Sequence, residues 1–582
     1  MLRGIPAAPG ISIGKAFLFD TKEMSQVVKR PILEEDIPSE VRRFKEALNK
    51  TRHELTKIKD KISREIGAEH GEIFSAHLLV LEDSMFIDEV ITKVKKERLV
   101  VEYVFQDVLK KYVKAFSKID DEYLRERISD INDVGRRIIK NLLGARQPSL
   151  GELKEQVVVI AYDLSPSHTA SMHKRSVIAF ATDIGGRTSH TAIMAKSLEI
   201  PAVVGLEEAT LFIKNGEPVI VDGNKGIVII YPTQETIKSY ELQKKGFEEY
   251  ERSLLGFRDL PSQTLDGHKV RIMANIELPE EIPSIIYHGA QGIGLYRTEY
   301  FYMNRTDLPK EDEQYEAYKV VAQKIAPLSV TIRTMDLGGD KFLSHLEVPH
   351  EMNPFLGWRA IRFCLARPDI FKVQLRAILR ASVHGKLKMM YPMISGLEEL
   401  KQANVILNEA KEELRKKGIP FDENIEVGAM IEIPSAAMTS DLLTKEADFF
   451  SIGTNDLIQY SIAVDRVNEK IAYLYEPTHP GVLRLIKSVI ENGHKAGVWV
   501  GLCGEMAGEP ELALILLGFG LDEFSMSSVT IPEVKRIIRA TTLQQAKEIA
   551  EKALTLSTGK EIEEFARTKL KEILSNASDP KT

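Results

Sequence analysis

Two acidic residues in the second half of the chain have the type and placement of metal ligands. Glu432 ends the apolar segment EVGAMIE, and Asp456 follows FFSIGTN, so both carboxylates are expected side by side where neighbouring strands end. Carboxylates favour a hard divalent cation, and a site with two of them leaves room for water and substrate oxygens, as Mg²⁺ prefers. The alternative is that each acid pairs with a nearby arginine.

The same half of the chain contains more arginines than are needed to neutralise two acidic side chains. The arginines are Arg297, Arg333, Arg359, Arg362 and Arg466. Guanidinium groups bind phosphate and carboxylate through two parallel hydrogen bonds. Lys341, in a Gly-Gly-Asp-Lys turn, is a further candidate. A cation beside an arginine cluster therefore predicts a small phosphorylated acid as the ligand.

Cys503 stands at the end of an apolar segment in GLCGE, between glycines that allow a substrate to approach closely. A free cysteine is most often a small buried hydrophobe, and that interpretation fits Cys364 in WRAIRFCLA. The strand-end position of Cys503 instead favours an acid–base role. Its neighbours lack the Cys or His spacing of a zinc site.

His190 lies in GGRTSHTAIMAKSLE, directly after the Gly185-Gly186 turn and at the start of an expected helix capped by Thr188 or Ser189. The N–H groups and the positive end of such a helix can stabilise a phosphoryl group on the imidazole. The same dipole favours the neutral, nucleophilic imidazole before reaction. The alternative is an ordinary histidine, as most of the 13 in the chain are expected to be.

The elements that must position these residues are predicted from eight short apolar segments separated by helix-length stretches. Their sequences are KVRIMANI, GIGLYRTE, SVTIRTMD, KLKMMYPM, EVGAMIEIP, FFSIGTND, VWVGLCGE and EFSMS. Eight strand–helix units in about 300 residues are typical of a (β/α)₈ barrel, whose active site lies at the carboxyl ends of the strands. The segments carry Arg297, Glu299, Arg333, Asp336, Glu432, Asn455, Asp456 and Cys503 at or near those ends. An open, doubly wound sheet is the alternative.

The first 231 residues predict two further parts. Apolar residues recur at helical spacing after Leu33, as in Val41, Phe44, Leu48 and Leu55, whereas short apolar segments with turns follow residue 150. The chain is therefore expected to be a multidomain α/β protein. The predicted divisions are a small α/β domain at 1–24 and 146–231, an all-helical insertion at 25–145, a linker helix at 232–261 and the barrel at 262–582.

Composition excludes several classes of protein. The 582 residues carry 78 basic and 85 acidic side chains, a net charge of −7, which gives no electrostatic reason to expect nucleic acid or an anionic membrane as partner. Two cysteines exclude a disulfide framework. No signal peptide is recognisable, and no apolar run approaches the roughly 20 residues of a membrane helix. We expect a soluble, cytoplasmic protein with no membrane insertion.

Eight segments in chain order resemble the phosphoenolpyruvate-protein phosphotransferases, the enzyme I family of the bacterial sugar phosphotransferase system. They are GGRTSHTAIMAKSLEIPAVVG, GIGLYRTEYFYMNR, TIRTMDLGGDK, NPFLGWRAIR, MIEIPSAA, DFFSIGTNDLIQY, GLCGEMAG and DEFSMS. The resemblance covers nearly the whole chain. It implies that phosphoenolpyruvate phosphorylates the protein and that the phosphocarrier protein HPr accepts the group, with the helical insertion as its docking site.

The resemblance also implies residue roles. His190 corresponds to the phosphorylated residue, on Nε2, and Cys503 to the residue that protonates C3 of the departing enolate. The phosphoenolpyruvate-binding positions fall on Arg297, Arg333, Asn455 and Arg466, and the Mg²⁺ ligands on Glu432 and Asp456. The family forms dimers through the barrel. Lys196 departs from the arginine often found there, which puts a bidentate phosphate contact at that position in doubt.

These roles imply an in-line attack by His190 on phosphorus, with Mg²⁺ and the arginines stabilising the phosphoryl oxygens. Because one imidazole must meet both the substrate and HPr, its domain is expected to swing, with the linker helix before Phe257 as the hinge.

Four other functions would fit parts of the sequence. A pyruvate phosphate dikinase or phosphoenolpyruvate synthase needs a large nucleotide-binding domain before the histidine domain, and a Gly-rich nucleotide loop is not found in the roughly 180 residues before His190. A nitrogen-related phosphotransferase would carry an extra amino-terminal domain. A non-catalytic scaffold is disfavoured by the intact His190, Glu432, Asp456 and Cys503. The barrel alone would also fit a metal-dependent lyase acting on an enolate.

Overall fold

The computed structural model divides the chain into two compact units, Met1–Tyr250 and Glu251–Thr582. The residues that the structure describes are 1–19, 29–65, 84–116, 155–164, 176–186, 200–302, 307–338, 353–466 and 471–576, with short stretches at 81, 131, 134–135, 137–139, 141–143, 150, 153, 191–192, 195, 351 and 468. No described helix is both long and apolar enough to cross a membrane.

The first unit contains an eight-stranded sheet. Its strands are β1 (Leu2–Arg3), β2 (Ile5–Ala8), β3 (Ile11–Phe19), β4 (Val157–Ala161), β5 (Val177–Thr182), β6 (Ala202–Val204), β7 (Pro218–Asp222) and β8 (Ile227–Ile230). The order across the sheet is β1-β8-β7-β3-β4-β5-β6-β2. Strand β3 pairs in parallel with β4 although more than 130 residues separate them in the chain. The amino-terminal segment therefore shares one sheet with the strands that follow residue 156, and the described helices between residues 37 and 116 lie in the intervening chain.

The described residues between 29 and 116 form three long helices: α1 (Ile37–Glu65), α2 (Ser84–Glu97) and α3 (Val101–Phe116). Phe44, Leu55 and Phe105 are fully buried in their shared core, as the helical spacing predicts. Thr51 interrupts the apolar stripe yet is also buried, because its hydroxyl donates to the carbonyl oxygen of Ala47 at 2.8 Å within the same helix.

Within the described residues 200–260 the chain forms two helices. The short α4 (Ala209–Phe212) covers the sheet, and the polar α5 (Gln234–Leu255) occupies the segment in which a linker helix is predicted. In α5 Leu254 is the one buried residue. A helix that is polar on nearly all sides is typical of a segment that connects domains rather than one that forms a core.

The second unit is built on a closed barrel of eight parallel strands. They are β9 (Arg271–Ile276), β10 (Gly292–Tyr296), β11 (Ser329–Arg333), β12 (Lys386–Tyr391), β13 (Glu426–Ile431), β14 (Phe449–Ile452), β15 (Trp499–Leu502) and β16 (Glu523–Met526). Each lies in one of the eight predicted segments. Parallel strands covered on both faces are apolar nearly throughout, which is why the segments were recognisable. The barrel is confirmed, and the open sheet is excluded.

Helices cover the outside of the barrel and extend beyond its last strand. They are α6 (Ile282–Tyr287), α7 (Glu311–Ile325), α8 (Ala360–Ala366), α9 (Pro368–Ala381), α10 (Leu397–Lys416), α11 (Pro434–Met438), α12 (Ser440–Leu443), α13 (Thr454–Ile462), α14 (Pro480–Ala496), α15 (Pro510–Phe519), α16 (Ile531–Arg539), α17 (Leu543–Ala553) and α18 (Gly559–Asn576). Helix α15 is the most apolar of them, because it is covered by α17 and α18 as well as by the barrel.

Two glycines allow the loops at the carboxyl end of the barrel to pack closely. A Cβ at Gly453 would lie 2.6 Å from Oε2 of Glu432. A Cβ at Gly504 would overlap the hydroxyl of Thr454 and lie 2.7 Å from its backbone nitrogen. Contacts below 3.0 Å force one partner to move, so these glycines set the distance between the loops after β13, β14 and β15.

We predict that Gly504→Ala destabilises the protein by about 1–3 kcal/mol, because the added methyl group must displace the backbone at Thr454. Gly396→Ala is the matched control in the same unit: its backbone is extended and the nearest atom to an added Cβ is a flexible carboxylate 3.7 Å away. It should cost less than about 1 kcal/mol. Urea unfolding of both variants tests this, and equal losses would contradict it.

Candidate active site

The predicted site residues of the barrel gather at the carboxyl ends of its strands. Arg333 is the last residue of β11, Glu432 directly follows β13 and Cys503 directly follows β15. Asp456 differs from the expectation of a strand-end residue: it lies four residues beyond β14, in the first turn of α13. The chain turns at Gly453 and enters this helix at once, and the carboxylate still faces the same end of the barrel through its contact with Arg359.

A buried ion-pair network joins three of the loops. Asp336 forms an ion pair with Arg333, at 2.9 Å from Nη1, and accepts a hydrogen bond from Arg359 Nη2 at 2.7 Å. Arg359 Nη2 also lies 3.4 Å from Oδ2 of Asp456, and Arg333 Nη2 donates to Oε1 of Glu299 at 2.9 Å. Asp336 therefore holds two guanidinium groups next to each other.

Glu432 adds a further carboxyl group to this network. Its side chain is buried, and Oε1 accepts the backbone N–H of Met393 at 2.6 Å. Burial is the main cause that raises the pKa of Glu432 to about 8, followed by the charges of Asp456 and Asp336, while Arg333 opposes the shift. The cluster thus has more carboxylates than its two buried arginines neutralise, and an additional positive charge would favour ionised Glu432.

The two buried arginines retain hydrogen-bonding capacity. The Nε atoms of Arg333 and Arg359 are buried and have no hydrogen-bond partner among the described residues. Arg359 Nη1 donates to the hydroxyl of Tyr460 at 3.3 Å. The pKa of both guanidinium groups is raised by the neighbouring carboxylates against the effect of burial, so both stay charged. An unsatisfied buried N–H is costly, and an anionic ligand would supply acceptors for these donors.

Two other predicted arginines lie at the edge of the network. Arg297 Nη1 donates to Oε1 of Glu277, with about a third of its side chain exposed. Arg466 is also partly exposed, and its Nη2 lies 3.7 Å from Oδ1 of Asp456. Both side chains are less constrained than Arg333 and are able to turn toward a ligand.

Asn455 and Arg362 have different surroundings. Asn455 Oδ1 accepts the backbone N–H of Glu505 at 3.0 Å, which ties the loop after β14 to the loop after β15. Arg362 donates to the carbonyl oxygens of Leu356 and Gly357 at 2.9 and 3.2 Å. It fixes the loop before α8, and the structure does not bring it into the network around Asp336.

Cys503 lies in an apolar part of the barrel. It is buried among Met390, Met430 and Phe449, and its Sγ lies 3.8 Å from the carbonyl oxygen of Ile452. Burial raises the pKa of the thiol to about 11, although Ser451 and Arg333 oppose the shift. The thiol therefore keeps its proton at neutral pH, which suits a proton donor rather than a nucleophile.

His190, Lys196 and Lys341 lie outside the described residues. Near His190, Thr191 and Ala192 are helical and buried. The hydroxyl of Thr191 donates to the carbonyl oxygen of Leu164 at 3.3 Å. The role of each of these three residues stays a prediction.

Asp336 and Glu299 are predicted near strand ends from the sequence, but no pattern there indicates a role for either residue. Asp336 follows Arg333 by three residues on the same loop, a spacing that suggests an ion pair. Its second partner, Arg359, is 23 residues away in the sequence, and no local sequence pattern predicts a contact over that separation. No sequence signal marks Tyr460, whose hydroxyl donates to the carbonyl oxygen of Phe355 at 2.5 Å and accepts a hydrogen bond from Arg359.

A complete protein cage for a metal is not found in the part of the chain that the structure describes: no three His, Cys, Asp or Glu side chains are grouped as metal ligands. Glu432 and Asp456 are instead two carboxylates in a network rich in negative charge. This arrangement fits a hard cation that takes its remaining ligands from water and substrate.

Comparison with known proteins gives full-length matches. Family models match residues 3–127 (PEP-utilising enzyme, N-terminal), 153–226 (PEP-utilising enzyme, mobile domain) and 252–543 (PEP-utilising enzyme, PEP-binding domain). A phosphoenolpyruvate-protein phosphotransferase of Bacillus subtilis strain 168 is 47% identical over 570 residues, 98% of this chain and 100% of the relative. That of Staphylococcus carnosus strain TM300 is 46% identical over 561 residues, 96% of this chain and 97% of the relative.

We predict that the metal-free protein loses stability as pH rises from about 5 to 8. Unfolded Glu432 releases its proton near pH 4.3, whereas the folded residue keeps it to about pH 8. The unfolded state thus binds fewer protons than the folded state between these pH values. The free energy of unfolding therefore falls as pH rises, and Glu432 contributes at most about 1.4 kcal/mol per pH unit to this slope. Above pH 8 Glu432 is ionised in both states, so it no longer changes the free energy of unfolding with pH.

Glu432→Gln should make this pH dependence shallower, while Glu398→Gln, at an exposed acid of the same unit, should leave it as in the wild type. Urea unfolding at pH 5, 6, 7 and 8 in the presence of a chelator measures the slopes. Identical slopes in the wild type and in Glu432→Gln would contradict the prediction.

Proposed function

Because this chain belongs to the family of phosphoenolpyruvate-protein phosphotransferases, we propose that it transfers the phosphoryl group of phosphoenolpyruvate to its own His190. Pyruvate is released, and the group then passes to a histidine of the phosphocarrier protein HPr. The observation that carries this proposal is the buried cluster in which Asp336 positions Arg333 and Arg359 beside Glu432 and Asp456.

The substrate is proposed to bind at the carboxyl end of the barrel. Its phosphate and carboxylate carry the negative charge that guanidinium groups bind well. The buried Nε–H groups of Arg333 and Arg359 support this position, since they have no acceptor among the described residues. The proposed binding residues are Arg297, Arg333, Lys341, Arg359, Asn455, Asp456 and Arg466.

A Mg²⁺ ion is proposed to bind through Glu432 and Asp456. The raised pKa of Glu432 supports this, because the shift arises from burial and from carboxylates that a divalent cation would neutralise. When bound, the ion would supply positive charge opposite the substrate oxygens. Arg359 lies 3.4 Å from Asp456, and it would hold that carboxylate in place before the substrate arrives.

In the first half-reaction the Nε2 atom of His190 attacks phosphorus in line. The bond between phosphorus and the bridging oxygen breaks, and its electron pair stays with the departing enolate of pyruvate. Arg333 and Arg359 stabilise the charge that spreads over the phosphoryl oxygens. Cys503 then gives its thiol proton to C3 of the enolate, and its raised pKa supports the role because the proton is present at neutral pH.

In the second half-reaction phosphorylated His190 donates to HPr. The same imidazole has to reach the substrate and then the carrier, so the part of the chain that holds it must move between them. The helical insertion at 25–145 is the proposed docking site for HPr. A barrel-mediated dimer and a cytoplasmic location stay predictions.

We predict that His190→Ala abolishes pyruvate formation and phosphoryl incorporation but changes phosphoenolpyruvate affinity by less than about threefold. The barrel residues would supply nearly all of the binding, and the imidazole would supply the acceptor atom. Isothermal titration calorimetry with Mg²⁺ measures the affinity, and labelled phosphoenolpyruvate measures incorporation. Loss of binding in the variant, or wild-type incorporation, would contradict the assignment.

We predict that Cys503→Ser slows pyruvate formation by roughly 10²- to 10⁴-fold, the contribution typical of a positioned general acid, with little change in substrate affinity. Cys364→Ala is the matched control, because Cys364 is the other free cysteine and is fully buried in α8. It should retain wild-type turnover. A Cys503→Ser enzyme with wild-type turnover would remove the proposed role of the thiol.

A further inference from the structure

A second pocket lies at the opposite end of the barrel from the site described above. It has a volume of 540 Å³ and lies where β9, β10, β15 and β16 begin. These four strands are neighbours in the closed barrel. The volume falls within the range of pockets that hold small molecules. The amino-terminal end of such barrels normally serves stability rather than catalysis, so an open pocket there calls for an explanation.

One wall of the pocket combines an aromatic ring with a guanidinium group. The Cζ atom of Arg271 lies 4.1 Å from the centre of the Trp499 ring, and its Nε lies 3.2 Å from Oε2 of Glu523. These contacts fix the plane of the guanidinium group against the indole. About 42% of the Arg271 side chain remains exposed, and the residue lines the pocket, so a ligand that enters can contact it.

The other polar groups of the pocket are mainly donors. Lys269 is exposed beside Arg271. Asp522 also lines the pocket, but its Oδ2 already accepts the backbone N–H of Val500 and Nε2 of His494, both at 2.8 Å. A ligand that enters therefore meets more hydrogen-bond donors than free acceptors.

Ser262 provides an independent sign of a missing ligand. It lines the pocket and is 3% exposed, and its hydroxyl has no hydrogen-bond partner among the described residues. A buried hydroxyl without a partner typically costs about 1–3 kcal/mol, so native structures rarely keep one. A ligand oxygen in the pocket would remove this cost once the Ser262 side chain turned about its Cα–Cβ bond and brought the hydroxyl to the pocket surface.

We propose that this pocket binds a small organic anion, through a carboxylate or phosphate group held by Lys269, Arg271 and Ser262. The flat, apolar part of the ligand packs against Val270 and the edge of Trp499, which both line the pocket, since Arg271 and the stacked Phe449 ring cover the two faces of the indole. An inorganic ion alone would leave most of the 540 Å³ and the aromatic wall unused.

The test uses the full chain carrying Trp358→Phe. The protein has two tryptophans, so Trp499 is then the remaining one and reports directly from the pocket. The probes are benzoate, phenyl phosphate and the cation benzylamine. We expect a saturable change in Trp499 emission with at least one anion and none with benzylamine. The anion that binds at least tenfold more tightly identifies the group as carboxylate or phosphate.

Substitutions locate the binding. Lys269→Met and Ser262→Ala should each weaken anion binding at least fivefold, whereas Lys386→Met, at an exposed lysine that begins β12 at the same end of the barrel, should not. The exposed position of Lys269 means that its variant will fold. The proposal is overturned if neither anion saturates by about 20 mM, if benzylamine binds as well, or if both pocket variants keep wild-type affinity. Because no turnover is measured, failure here leaves the proposed phosphotransfer untouched.

Discussion

The double ion pair of Asp336 is the interaction on which the rest of the barrel site depends. One buried carboxylate holds Arg333 at 2.9 Å and Arg359 at 2.7 Å, although the two arginines come from different parts of the chain. Buried charges are costly unless they are paired and hydrogen-bonded. Removing the Asp336 carboxylate would leave two buried, positively charged guanidinium groups close together without the negative charge that they share. The positions of Asp336, Arg333 and Arg359 therefore depend on the cost of burying an unpaired charge as much as on the attraction between opposite charges.

Removal from water also determines which acidic groups of the site keep their protons. Glu432 and Cys503 are both buried and both have a raised pKa, but for different purposes. At Glu432 the shift arises from burial first and from the neighbouring carboxylates of Asp456 and Asp336 second, and a bound cation would oppose both effects. At Cys503 the surroundings are mainly apolar, so the thiol remains protonated and available as a donor. Gly453 and Gly504 permit this spacing, because a side chain at either position would separate the loops.

The sequence predicted the barrel well because its parallel strands are buried on both faces and therefore apolar over several consecutive residues. Glu432 and Cys503 were placed correctly after their strands, whereas Asp456 lies within α13 because the chain turns at Gly453. The pairing of Asp336 with Arg359 was not predictable, since the two residues are 23 positions apart and no local sequence pattern links them. The unsatisfied hydroxyl of Ser262 likewise becomes visible only in three dimensions.

The most direct test of the central claim, that the barrel site delivers a phosphoryl group to His190, is to map the modified residue. The wild-type protein is incubated with Mg²⁺ and phosphoenolpyruvate labelled in its phosphoryl group, and its peptides are analysed by mass spectrometry. The account predicts one acid-labile, alkali-stable phosphate per chain on the peptide that contains His190, with an equal amount of pyruvate released. Label on another residue, or incorporation from ATP and not from phosphoenolpyruvate, would contradict it.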